Sequence, residues 1–143
     1  MILYDREHAI QRMNTLAKEG KDFIFIINYK ADGAYVEEYA DINPHELLFA
    51  FPSLSNIPED ESYSNEAVEW HTEPLTRDDY EHRINLVKQR EREGDSYLAN
   101  LTCKIPIRTN LSLHDIFMRS KALYRCWMKE KFVCFSPEIF VRI

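Results

Sequence analysis

Glycine is scarce in this chain, with three among 143 residues. A nucleotide site that cradles phosphates on close backbone approach uses several glycines at fixed spacing, so none is expected here. No His-Glu-x-x-His or Gly-x-Ser-x-Gly pattern occurs, and the histidines (His8, His45, His71, His82, His114) never fall at metal-ligand spacing. No Ser, Cys or Lys has an obvious catalytic base beside it in sequence. The three cysteines (Cys103, Cys126, Cys134) share no short spacing. An odd count without Cys-x-x-Cys fits reduced, structural thiols better than disulfides or zinc. A basic surplus is also lacking: the net charge is -6, which argues against nucleic acid and against an anionic membrane surface. Long hydrophobic runs are absent, since Phe23-Ile24-Phe25-Ile26-Ile27 is far too short to span a bilayer. The start, Met1-Ile2-Leu3-Tyr4-Asp5-Arg6-Glu7, has neither the basic residues nor the apolar stretch of a signal peptide. The expected location is cytoplasmic. The sequons Asn100-Leu101-Thr102 and Asn110-Leu111-Ser112 are then coincidental.

What is present describes an ordinary globular α+β chain, with 45% hydrophobic and 29% charged residues. Asp5 caps a predicted helix over 6–19, with Ala9, Ile10, Met13, Leu16 and Ala17 as its apolar stripe and Gly20 as its stop. Phe23–Tyr29 reads as a strand buried on both sides. Lys30-Ala31-Asp32-Gly33 turns it into a hairpin with Ala34–Tyr39. Glu37 and Glu38 read as a solvated edge. Asn43-Pro44-His45-Glu46 has the pattern of a helix start, which predicts a short helix carrying Leu47 and Leu48 inward. Ser53 to Ala67 has no apolar period and reads as a loop, the boundary between two parts of the chain. Val68 to Pro74 is a short strand bearing Trp70.

Thr76 opens a charged helix over 77–93, with Tyr80, Ile84 and Val87 toward the core and Gly94 as a left-handed cap. The next stretch alternates, which predicts a strand over Tyr97–Ile107. Tyr97, Ala99, Leu101, Cys103 and Ile105 lie on one face, and Asn100 and Thr102 on the other. Ser112-Leu113-His114-Asp115 is a second capping signature. Leu113, Ile116, Phe117, Ser120, Tyr124 and Trp127 follow at helical spacing, predicting a helix over 113–128 that buries this face with Leu113 at its edge. Lys131–Phe135 and Ile139–Ile143 complete a mostly antiparallel sheet covered by about three helices.

Gly94-Asp95-Ser96-Tyr97-Leu98-x-Asn100-Leu101-Thr102, followed by Phe135-Ser136-Pro137-Glu138-x-Phe140, resembles the first half of the chorismate-binding enzymes. Pro106-Ile107-x-Thr109-Asn110-Leu111-Ser112 and Phe132-Val133-x-Phe135 fit as well, so the match is dense from about Leu75 to Ile143 and loose before it. Asn100-Leu101-Thr102 favours the aminodeoxychorismate synthase component I branch, also called para-aminobenzoate synthase, over anthranilate synthases. The resemblance implies that the whole protein takes chorismate to 4-amino-4-deoxychorismate on the folate route. It further implies Mg²⁺ and ammonia delivered by a glutamine amidotransferase subunit.

The family's Pro-x-Lys-Gly-Thr segment, with its nucleophilic Lys, and its magnesium carboxylates and substrate-binding residues lie in the second half. None of them is found in these residues, which are expected to be an N-terminal portion without cofactor or catalytic residue of its own. In the family an inhibitor pocket often carries Asn-Pro-x-Pro-Tyr; here Ser120-Lys121-Ala122-Leu123-Tyr124 keeps only Tyr124.

Asn100, Thr102, Tyr124, Ser136 and Glu138 are the candidate pocket residues. The polar ones among them read either as a hydrogen-bonded strand end and tight turn or as the lining of a small-molecule pocket between sheets. The alternative to a chorismate enzyme is a non-catalytic α+β module that binds a small molecule or a partner subunit. A chain ending within Ile139–Ile143 is also expected to self-associate through that strand's bare edge, or to be ordered only within a longer protein.

Overall fold

The computed structural model describes residues 1–136. Among these the chain forms three α-helices and nine β-strands in three antiparallel sheets, an α+β fold. It divides into two compact units. The first joins Met1–Ser64 to the chain from Ser112 onward, and the second is Asn65–Leu111. The predicted strand Ile139–Ile143 lies outside the described residues.

The first unit begins with β1 (Leu3–Asp5) and α1 (Arg6–Lys18). The Asp5 carboxylate accepts a hydrogen bond from the His8 backbone N–H at 2.9 Å, the N-cap expected of it. Gly20 ends the helix at φ +67, where a Cβ would be strained. β2 (Phe23–Ile27) and β3 (Gly33–Glu38) form the predicted hairpin, and β1 pairs with the other side of β3. Ala34 and Val36 face α1 and bury against Ala9 and Leu16, with Tyr4, Met13 and Phe23 at the margin. β2 departs from expectation, because Phe25 is 51% and Ile27 48% exposed. As an edge strand in a sheet ordered β1-β3-β2, it extends past the cover that α1 supplies to β3. Lys21 binds Glu38 at 2.6 Å, and Glu37 and Glu38 are half-buried at the end of the central strand β3 rather than on a solvated edge.

A second sheet is ordered β5-β4-β8-β9, from β4 (Leu47–Phe51), β5 (Leu54–Ser55), β8 (Tyr124–Met128) and β9 (Phe132–Ser136). Two predicted helices yield to it. Asn43 does not start a helix. Its side chain accepts from the His45 N–H, its carbonyl accepts from Glu46 and Leu47, and the turn then stops. Leu47 and Leu48 are buried as expected, but on the two faces of a strand.

The helix predicted over 113–128 is α3 (Leu113–Arg119) alone. Its start has the full capping box between Ser112 and Asp115. Its end comes at Ser120, whose ψ of 141 is extended. The later apolar residues Tyr124 and Trp127 belong to β8, where Leu48 lies opposite Trp127. A helix would have gained only its own backbone bonds, whereas β8 gains a ladder on each side. α3 packs on one face of this sheet through Phe117, Leu48 and Trp127. The other face looks toward the first sheet, where Tyr39 meets Phe49 edge-on at 6.2 Å.

The second unit holds a two-stranded ribbon of β6 (Trp70–Thr72) and β7 (Ile107–Thr109), and α2 (Arg77–Arg92). α2 begins at the expected Thr76 cap and ends at Gly94, φ +84. The strand expected over Tyr97–Ile107 is absent except for its last residue. Residues 95–106 are irregular, and Tyr97 and Leu98 are fully or nearly exposed. A strand needs a neighbour to accept its backbone hydrogen bonds, and no described strand runs beside this stretch. Its alternation still shows, since Ala99, Leu101 and Cys103 line a small hollow against Tyr80, Ile84 and Val87 of α2. Burial of α2 is much less than expected: Tyr80 is 58% exposed and no residue of the helix is fully buried.

Among the residues expected to be buried, Phe117 and Trp127 are, Ile116, Tyr124 and Val87 are half-buried, and Ile84 and Tyr80 are exposed. Truncating Phe117 to Ala should therefore cost about 3–5 kcal/mol. Tyr80→Ala should stay within about 0.5 kcal/mol. Chemical denaturation of both variants checks the contrast, and equal midpoints would contradict this packing.

Candidate functional site

Between the two sheets of the first unit lies an apolar cleft of about 410 Å³. Alternation along the strands builds it. On β8, Tyr124 and Cys126 turn inward, while Arg125 turns to the α3 face. There its guanidinium stands 5.2 Å from the Phe117 ring and donates to the Ser120 carbonyl. On β9, Phe132, Cys134 and Ser136 share the inward face, each paired in register with a β8 residue: Phe132 with Met128, Cys134 with Cys126, Ser136 with Tyr124. Ile24 and Ile26 of β2 close the opposite wall. A row of rings runs along the second sheet, with Phe49 and Phe51 5.0 Å apart and Phe51 and Tyr124 5.9 Å apart. Such walls suit the face of an apolar or aromatic group. Among the described residues, no His, Asp or Glu lines the cleft.

Of the candidate residues, the cleft takes in Tyr124 and Ser136, directly opposite one another on β8 and β9. Asn100 and Thr102 are exposed in the irregular stretch of the second unit. Glu138 lies outside the described residues. Among the described residues, no three His, Cys, Asp or Glu side chains gather closely enough to hold a metal ion. A magnesium carboxylate set is thus not formed by the described residues. No helix of the described residues is long and apolar enough to cross a membrane.

Two features had no signal in single-residue spacing. The first is the facing of Cys126 and Cys134, which the two alternating runs around Lys129-Glu130-Lys131 imply only once read as a hairpin. The second is a clasp that holds residues 61–64 on α3. Asp115 accepts from the Ser64 N–H at 3.0 Å and from the Ser112 N–H at 3.1 Å. Arg119 donates to the Ser64 carbonyl and stands 5.6 Å over the Tyr63 ring. His114 Nε2 lies 3.1 Å from Glu61, with its ring edge-on to Trp127 at 5.1 Å. The Ser112 hydroxyl bond, followed by the Ser64 N–H, holds the Asp115 carboxyl below the usual carboxylate range.

A chorismate binding enzyme family model matches residues 2–143. The chain is 31% identical over 137 residues to an uncharacterized PabA-like protein of Pasteurella multocida, covering 95% of this chain and 42% of the relative. It is 30% identical over 137 residues to an uncharacterized PabA-like protein of Haemophilus influenzae, covering 96% of this chain and 41% of the relative. The chain therefore spans about two-fifths of the length of the curated relatives it matches. No solved structure matches the chain significantly.

The clasp makes a pH-dependent prediction. A carboxyl whose pKa is lowered on folding contributes stability that is present above its unfolded value of about 3.9 and is lost as pH falls through the folded value. Asp115→Ala should cost about 1 kcal/mol at pH 6, and the difference from the parent should shrink below about pH 4. Urea melts of both proteins at pH 6 and pH 3 give the comparison; a gap that widens in acid would contradict the assignment.

Proposed function

We propose, for a chain that belongs to the chorismate-binding enzyme family, that it is the N-terminal part of an aminodeoxychorismate synthase component I. The observation that carries the reading is the run Gly94-Asp95-Ser96-Tyr97-Leu98-Ala99-Asn100-Leu101-Thr102. Its Asn-Leu-Thr portion is similar to the aminodeoxychorismate branch rather than to anthranilate synthases. Both relatives are named PabA-like proteins.

The whole enzyme replaces the C4 hydroxyl of chorismate by an amino group: chorismate and ammonia give 4-amino-4-deoxychorismate and water. Ammonia would come from a glutamine amidotransferase subunit, and Mg²⁺ would be held by carboxylates of the family's second half. The nucleophilic Lys belongs to the family's Pro-x-Lys-Gly-Thr segment, which these residues do not contain. The part played by this chain is architectural. It supplies facing sheets, the helices on their outer faces and the apolar cleft. The expected cellular location is the cytoplasm. The cleft favours a second reading, a module that binds a small apolar molecule without chemistry of its own.

The full-length gene product, incubated with chorismate, ammonium and Mg²⁺, should yield 4-amino-4-deoxychorismate detectable by chromatography and mass spectrometry. Anthranilate as the product would move the protein to a sibling enzyme. No turnover by a folded full-length protein would favour the binding module. The 143-residue chain alone should form no product above the uncatalysed level, because it lacks the nucleophile and the metal carboxylates.

A further inference from the structure

The cleft wall contains a feature that chorismate amination does not use. Cys126 and Cys134 are directly opposite on neighbouring antiparallel strands. Both line the cleft, Cys134 exposed and Cys126 partly buried. Residues so paired have Cα atoms about 4.5–5.5 Å apart, inside the range of about 4.4–6.8 Å that a disulfide spans. β8 is paired to β4 on its other side and the two cysteines already stand in register, so a link between them keeps the order of the sheet. Cys103 belongs to the other unit and lies in an irregular stretch.

We propose that Cys126 and Cys134 form a redox-active dithiol that hydroperoxides oxidise to a cross-strand disulfide in the wall of the cleft. The order of events follows from the surroundings. Cys134 is the more accessible thiol, so it meets the oxidant first. Burial pushes the Cys126 thiol up to about 12 and raises Cys134 as well. Both are slow nucleophiles at neutral pH, so the pair answers sustained exposure to oxidant.

The Cys134 sulfur attacks the peroxide oxygen, the O–O bond breaks, and a sulfenic acid and water (from hydrogen peroxide) are formed. The Cys126 sulfur then attacks the sulfenic sulfur, the S–O bond breaks, and a second water leaves. In sum two thiols and one hydrogen peroxide give one disulfide and two waters. The product ties β9 to β8 beside Tyr124 and Ser136, at the part of the cleft where a ligand would rest.

The test uses the full-length gene product, reduced, desalted and treated with hydrogen peroxide. Free-thiol titration should fall by two, and tryptic peptides should show a Cys126–Cys134 link that dithiothreitol reverses. Cys103→Ser should behave as the parent. Cys126→Ser should carry oxidation to a sulfinic acid at Cys134 without a link, since the resolving thiol is gone. A second readout does not depend on oxidation: the reduced protein should retain phenylarsine oxide, which two adjacent thiols hold and one does not, and either single Ser variant should lose it. Thiols that survive peroxide unchanged, a sulfinic acid at Cys134 in the parent, a link to another cysteine, or arsenical retention by the single variants would each overturn the proposal.

Discussion

The first unit depends on the antiparallel pairing of β4 with β8, which sets Leu48 opposite Trp127 and Leu47 opposite Met128. This ladder joins two parts of the chain that the whole second unit separates in sequence. Leu47, Leu48 and Phe49 are each no more than 1% exposed, and full burial of side chains of this size is worth about 1.5–3 kcal/mol apiece. From that pair the rest follows: α3 seats Phe117 on Leu48 and Trp127, β9 joins the free edge of β8, and the clasp holds residues 61–64 on α3. Without the ladder there is no second sheet, and without the second sheet there is no cleft.

The second unit is bound together differently. Its ribbon has three register pairs, and its helix buries no residue completely. Local terms carry most of its order. Thr76 caps α2, and Arg77 with Glu81 and Arg90 with Glu93 form ion pairs on its surface. Exposed pairs of this kind contribute little, so local opening is expected here before it occurs in the first unit. Its most family-like residues, Gly94 to Thr102, are thus in the part of the chain with the least packing of its own.

The alternation of the strands also sets the character of the cleft. Strand alternation sends the one nearby guanidinium, that of Arg125, to the α3 face and leaves rings, aliphatic groups, thiols and hydroxyls inside. A surface of that composition suits the face of an apolar group.

By itself the sequence determined the α+β class, the starts of all three helices and the β2–β3 hairpin. It could do so because caps and tight turns are decided by side chains within three or four residues of the backbone groups they serve, as Asp5, Thr76 and Ser112 are. Tertiary structure decided which apolar runs became strands. Leu47–Phe51 and Tyr124–Met128 carry helix-like spacing or helix-start signals yet pair with one another, and Tyr97–Pro106 alternates like a strand yet finds no partner among the described strands. The candidate pocket was legible only in part for the same reason: Tyr124 and Ser136 meet across a ladder, and Asn100 and Thr102 belong to the other unit. A strand's backbone bonds lie outside the strand, so its existence, its register and the Cys126–Cys134 pairing are properties of the assembled sheet.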